Sequence, residues 1–186
     1  MIILGIDPGL AIVGIGIIDA SIRPAAAGLL SMTPYKVIDY CTIETSKTNT
    51  NADRLREIAE DLSSIIQKHR PSVAVIEKLY FETNQKTAMS VAEARGAILL
   101  TCTQAGLSII EPTPLQLKVA VTGDGRADKK QMEDMVARTL KIDLKGVSDD
   151  AVDALGLAIY GATSMRNIIQ KKEVDIVKSR SKLRSR

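Results

Sequence analysis

Histidine, cysteine and aromatic residues are scarce in this chain: one His, two Cys, one Phe, four Tyr and no Trp. That scarcity argues against structural zinc, which usually takes four Cys or His donors. Cys41 and Cys102 stand in apolar surroundings, the pattern of reduced, buried thiols in a cytoplasmic protein. The lone His69 precedes Arg70 and Pro71 at an expected helix end, where capping the helix C-terminus is its expected role. Long apolar runs are also missing. No stretch reaches the ~18 uninterrupted apolar residues that a membrane span requires. The opening Met1–Asp7 has no basic leader and meets an acid early, so no signal peptide is expected there.

What is present is ordinary globular composition: 186 residues, 45% hydrophobic and 25% charged, enough for one domain with a real core. The net charge of +3 hides an asymmetry. Residues 166–186 hold eight Lys or Arg against Glu173 and Asp175, which leaves residues 1–165 at −3. A mildly acidic body with a basic end suits a protein that approaches a polyanion while concentrating carboxylates at one site. The expected organisation is one domain over 1–165 and a basic, flexible C-terminal tail over 166–186.

Ile2–Ile6 is a continuous apolar run ended by Asp7-Pro8-Gly9, which reads as a strand buried on both faces. Ala11–Ile18 reads as a second strand, and Gly14 and Gly16 leave one of its faces flat for a close neighbour. Tyr35–Thr45 completes an antiparallel meander. Asp53–His69 is the clearest helix, with Leu55, Ile58, Leu62, Ile65 and Ile66 at helical spacing. A buried strand over Val73–Ile76 follows. A helix over Thr87–Gln104 carries a small-residue stripe, Ala88, Ala92 and Gly96, suited to close packing. Ser108–Glu111 is a short strand; helices are expected over Pro114–Val121, Ala127–Leu140 and Asp149–Ser164. This β-β-β-α-β-α-β-α-α-α order predicts an α/β domain, a mixed five-stranded sheet with helices on both faces.

The chemistry lies in the acids. Asp7 and Glu77 each end a buried apolar strand, where a carboxylate costs desolvation unless a cation or hydrogen bonds offset it. Asp7 before Pro-Gly could equally be a turn acid. Asp150 and Asp153 share one helix face above Ala154, Leu157 and Gly161, so they crown a packed stripe. Ser148 as N-cap and the helix dipole account for Asp149 and partly for Asp150, and poorly for Asp153. Four carboxylates without Cys or His form a hard oxygen site that selects Mg²⁺, with Mn²⁺ able to substitute. Two such ions roughly 3.5–4 Å apart can clamp the attacking and leaving oxygens of an in-line phosphodiester displacement. Without metal the acids repel, so one or more pKa values should be raised.

Four segments taken in order carry a resemblance: Gly5-Ile6-Asp7-Pro8-Gly9; Ile76-Glu77 with the aromatic loop after it; Glu93-Ala94-Arg95-Gly96; and Asp150-Ala151-Val152-Asp153-Ala154-Leu155. Each is weak alone, but as an ordered set, within Met1 to about Ala162, they resemble the RuvC family of Holliday-junction resolvases. The resemblance implies an RNase H-like fold and a homodimer that makes paired symmetric nicks in four-way junction DNA. It also implies a role in recombination and repair beside a branch-migration motor of RuvA and RuvB type. Asp7, Glu77, Asp150 and Asp153 match the family's metal-binding carboxylates. Tyr80 stands at the family's loop aromatic, with Phe81 beside it and Asn84 in the same loop, as candidate junction contacts. Lys118 and Lys129 match basic positions near the scissile phosphate; Arg126 and Lys130 add charge on that segment. The connection over 20–34 is longer and more apolar than the family pattern, and the tail matches nothing in it.

Two other readings compete. A phosphotransferase of the actin and sugar-kinase type also starts with a strand and an Asp-Gly turn, but it normally needs two such domains and glycine-rich phosphate loops. A non-catalytic junction-binding protein has no use for buried negative charge facing phosphates.

Overall fold

The computed structural model describes residues 1–21, 35–78 and 85–184, with side chains over the same residues except 85–87 and 167–184. Most of the 20–34 connection therefore lies outside the described residues, as do Tyr80, Phe81 and Asn84. The elements follow the expected order: β1 (Ile2–Asp7), β2 (Ile12–Asp19), β3 (Lys36–Glu44), α1 (Asn51–His69), β4 (Val73–Ile76), α2 (Gln85–Gln104), β5 (Ser108–Ile110), α3 (Pro114–Thr122), α4 (Lys129–Leu140) and α5 (Asp149–Arg184). The strands form one five-stranded sheet in the order β3-β2-β1-β4-β5. β1 pairs antiparallel with β2, and β2 with β3; β1–β4 and β4–β5 are parallel. The meander and the parallel half thus meet at β1.

Strand alternation divides the core into two layers. Ile3 on β1 and Val73 and Val75 on β4 pack with Leu155, Leu157 and Ala158 of α5 and with Leu117 and Val136 of α3 and α4. Leu4, Ile6, Ala74 and Ile76 turn to the other face, against Ile58 and Leu62 of α1 and Ala94, Ile98 and Cys102 of α2. Each fully buried Val, Leu or Ile among them contributes about 1.5–3 kcal/mol.

Three glycines let α5 lie directly on the sheet. Gly5 and Gly16 are partners across β1 and β2. A Cβ at Gly5 would stand 2.0 Å from the Ala154 carbonyl oxygen, one at Gly14 1.9 Å from that of Asp150, and one at Gly16 2.6 Å from the Leu155 nitrogen. The flat face expected of Gly14 and Gly16 is therefore where the α5 backbone docks.

Four local expectations need correction. The buried stripe of α2 is Ala94, Ile98 and Cys102; at Gly96 an added Cβ would meet nothing within 4 Å. Cys102 is buried as expected, but Cys41 is exposed, because β3 is an edge strand with one solvated face. His69 ends α1, yet its Nε2 lies 3.1 Å from Asp39 Oδ2 on β3, and the cap is the left-handed Arg70. Finally, α5 continues to Arg184 rather than ending near Ser164. No Gly or Pro interrupts residues 162–184, so nothing local stops the helix.

Candidate active site

Parallel pairing of β1 with β4 brings Ile6 opposite Ile76, so Asp7 and Glu77 emerge side by side at the carboxyl ends of neighbouring central strands. By alternation both point to the α5 face, continuing the rows Ile3-Gly5 and Val73-Val75. α5 begins over Gly14, its N-terminus held by Ser148, whose Oγ accepts from the Ala151 N–H at 3.3 Å. That placement sets Asp153 above the two strand ends.

The result is a cleft of about 240 Å³ lined by Asp7, Glu77 and Asp153, with Lys118 from α3, Lys129 from α4, and Pro114, Leu117, Met132 and Leu157 as apolar walls. Asp150 does not line it, but its charge acts on both Asp7 and Asp153. Lys129 reaches over the edge: its Nζ lies 2.6 Å from Asp149 Oδ2 at the start of α5. Arg126 and Lys130 are exposed and stand outside the cleft lining. Of the sequence candidates, the cleft thus gathers Asp7, Glu77, Asp153, Lys118 and Lys129.

The cleft is electrostatically loaded. The Asp7 carboxyl is pushed up to about 7 by burial first, then by the charges of Asp153, Asp150 and Glu77, against the pull of Lys129. Burial and Asp153 raise Glu77, while Lys118 draws it down. Asp153 is raised chiefly by burial, with Lys129 opposing and Asp149 and Asp150 adding to the rise. Burial thus acts first, and the mutual repulsion expected of clustered carboxylates adds to it.

The donor set fits a hard divalent cation. Among the described residues no three acidic, His or Cys side chains surround one point as a closed ligand cage. Mg²⁺ does not need one: it usually takes one or two carboxylates and completes its shell with water and substrate phosphate oxygens. An open carboxylate cleft, in which burial and then repulsion raise three pKa values, is the environment such a cation relieves.

Sequence reasoning missed one residue that bonds to the backbone of a cleft acid from the opposite face of the sheet. Arg95, quoted only within a motif, reaches from α2 so that its Nε donates to the Glu77 carbonyl oxygen at 3.0 Å. Its guanidinium also pairs with Glu111. No sequence pattern pointed to it, because helical periodicity does not register a contact 18 residues away.

A central parallel strand pair ending in acids, a three-strand meander beside it and an acid-bearing helix across the glycine face define an RNase H-like fold. The family model for crossover junction endodeoxyribonuclease RuvC matches residues 3–161. The chain belongs to this family. It is 42% identical over 173 residues to the crossover junction endodeoxyribonuclease RuvC of Caldicellulosiruptor saccharolyticus, covering 93% of this chain and 99% of that one. Identity to the Halothermothrix orenii protein of the same name is 44% over 166 residues, 89% of this chain and 94% of the other. Among solved structures, T. thermophilus RuvC in complex with Holliday junction substrate superposes with a TM-score of 0.77 at 26% identity, over 89% of this chain and 95% of that one.

Proposed function

We propose that this chain is a structure-selective endonuclease that resolves four-way (Holliday) junctions by paired symmetric nicks during recombination and repair. Asp7, Glu77, Asp150 and Asp153 hold divalent cations in this reading, two Mg²⁺ per site with Mn²⁺ as substitute. The observation that carries it is the convergence of Asp7, Glu77 and Asp153 with Lys118 and Lys129 on one cleft. Bound there, the cations supply Lewis-acid activation of a water and of the scissile phosphate.

The chain's own groups do the rest. Ionised carboxylates bind and space the cations, and Lys118 and Lys129 neutralise phosphate oxygens entering the cleft. Leu117, Met132 and Leu157 form apolar walls beside these charges. Arg126 and Lys130 extend the DNA contact beyond the cleft, and Tyr80, Phe81 and Asn84 are further DNA contacts in this reading.

Cutting two like strands requires two sites related by symmetry, so the working unit is a homodimer. The outward side of α2 supports this: Met89 and Leu100 are 68% and 59% exposed, and Gly96 between them leaves open space. A branch-migration motor of RuvA and RuvB type is the further partner in this reading. Among the described residues no helix is long and apolar enough to cross a membrane.

Incubation of the pure protein with a labelled four-way junction and a matching duplex, in Mg²⁺ or in EDTA, tests the reading. Paired symmetric nicks are expected on the junction alone and only with Mg²⁺. Tight junction binding with no nicks across several junction sequences would show a non-catalytic junction-binding protein instead.

A further inference from the structure

The peptide unit that follows Glu77 is held at both ends. Its carbonyl oxygen accepts from Arg95 Nε at 3.0 Å, and its N–H, on Lys78, donates to the Pro112 carbonyl oxygen at 2.9 Å. Arg95 also pairs with Glu111, the residue before Pro112. The bonds therefore close a circuit: Glu77 carbonyl, Arg95 guanidinium, Glu111 carboxylate, along the chain to Pro112, and back through Lys78. This circuit lies just past the last pairs of β4 with its neighbours, Ile6 with Ile76 and Val75 with Ile110. Beyond those pairs the sheet itself no longer holds Glu77.

Arg95 comes from α2, on the face of the sheet opposite the cleft. Ala94 and Ile98 of the same helix pack with Ile6 and Ile76, the residues before Asp7 and Glu77. A guanidinium that is 16% exposed gives up most of its hydration, and it is retained here with both a carbonyl and a carboxylate as partners. A carbonyl pinned from the α2 side fixes the Glu77 backbone, and strand alternation then sends its side chain to the α5 side.

We propose that Arg95 is a positioning residue for Glu77: it holds the Glu77 carboxylate in the cleft by clamping the peptide that follows it. The proposal rests on the reading of Glu77 as a metal ligand. Lysine cannot replace it, because a single ammonium lacks the fork that reaches both partners.

The test compares Arg95→Gln, Arg95→Lys and Glu77→Gln as full-length proteins. The readouts are calorimetric titration with Mn²⁺ in the absence of DNA and hydrogen exchange at the Lys78 amide without metal. Arg95→Gln is expected to weaken Mn²⁺ binding on the order of tenfold, the usual effect of losing a group that orients a ligand. Lys78 exchange should accelerate, while junction binding in EDTA stays at the wild-type level. Arg95→Lys should follow Arg95→Gln in both readouts. Wild-type affinity and exchange in Arg95→Gln, with Glu77→Gln impaired, would overturn the role of Arg95 and keep Glu77 as ligand. Wild-type Mn²⁺ affinity in Glu77→Gln would overturn the reading beneath it. Should Arg95→Gln fail to fold, Glu111→Gln decides, since it loosens the circuit and leaves Arg95 in place. A severalfold loss of affinity with faster Lys78 exchange supports the clamp; no change in either refutes it.

Discussion

Asp7 meets opposed demands from folding and from cation binding. Its carboxyl stands at about 7 against an ordinary 3.8, because burial and three like charges penalise the ionised form. Between those values the folded protein keeps a proton that the unfolded chain has lost. In metal-free protein, stability therefore falls as pH rises through that window, and above it the penalty is complete. Each pKa unit is worth about 1.4 kcal/mol, so a rise from 3.8 to about 7 means that Asp7→Asn should stabilise metal-free protein near pH 8 by up to about 4 kcal/mol. Near pH 4 the gain should vanish. Thermal melts in EDTA at the two pH values check this, and no gain near pH 8 would refute the account by burial and repulsion. The same variant should lose nicking and keep junction binding, because the cleft's lysines remain. Asp7 and Glu77 were legible in the sequence because each ends a continuous apolar run, where a charge needs a reason. Arg95 and the His69–Asp39 pair were not, since both are tertiary contacts between elements far apart in the chain.

At the level of elements, the placement of α5 decides whether Asp153 meets the strand ends. Gly5, Gly14 and Gly16 admit the helix backbone where any side chain would collide with it. Backbone cannot swing aside as a flexible side chain can, so Gly16→Ala should cost about 3 kcal/mol or more, the upper range of overpacking. Urea unfolding measures the loss. In the fraction that folds, displacement of α5 should also weaken Mn²⁺ binding, although residue 16 touches no cation in this reading. A wild-type urea midpoint would mean that α5 stands farther from β2 than described. The glycine face was visible in the alternation Gly14-Ile15-Gly16, and so was an acid pair crowning a helix. The packing of α2 was misjudged for a related reason. Ala88, Ala92 and Gly96 are small, but small residues mark a face that can be approached, not what approaches it. The buried side fell instead on Ala94, Ile98 and Cys102, beneath the strands.

At the scale of the whole molecule, α2 has two apolar sides, and the described residues cover only one. Met89, Gly96 and Leu100 share the uncovered side. An exposed apolar helix face of this kind marks an association surface, and a two-fold axis there would place two clefts in one particle. Leu100→Glu puts a charge on that face without touching the cleft or the Arg95 circuit. On the homodimer reading, sedimentation should show a dimer for the unaltered protein and a monomer for the variant, and Mn²⁺ binding should be unchanged. On a four-way junction the variant should nick one strand at a time, so that singly cut junctions accumulate before resolved duplexes. Because both nicks must fall within the life of one complex, loss of the second copy uncouples them even when each cleft is intact. A Leu100→Glu protein that remains dimeric and still makes paired nicks would move the interface off α2. One that is monomeric and still pairs its nicks would separate pairing from the dimer altogether.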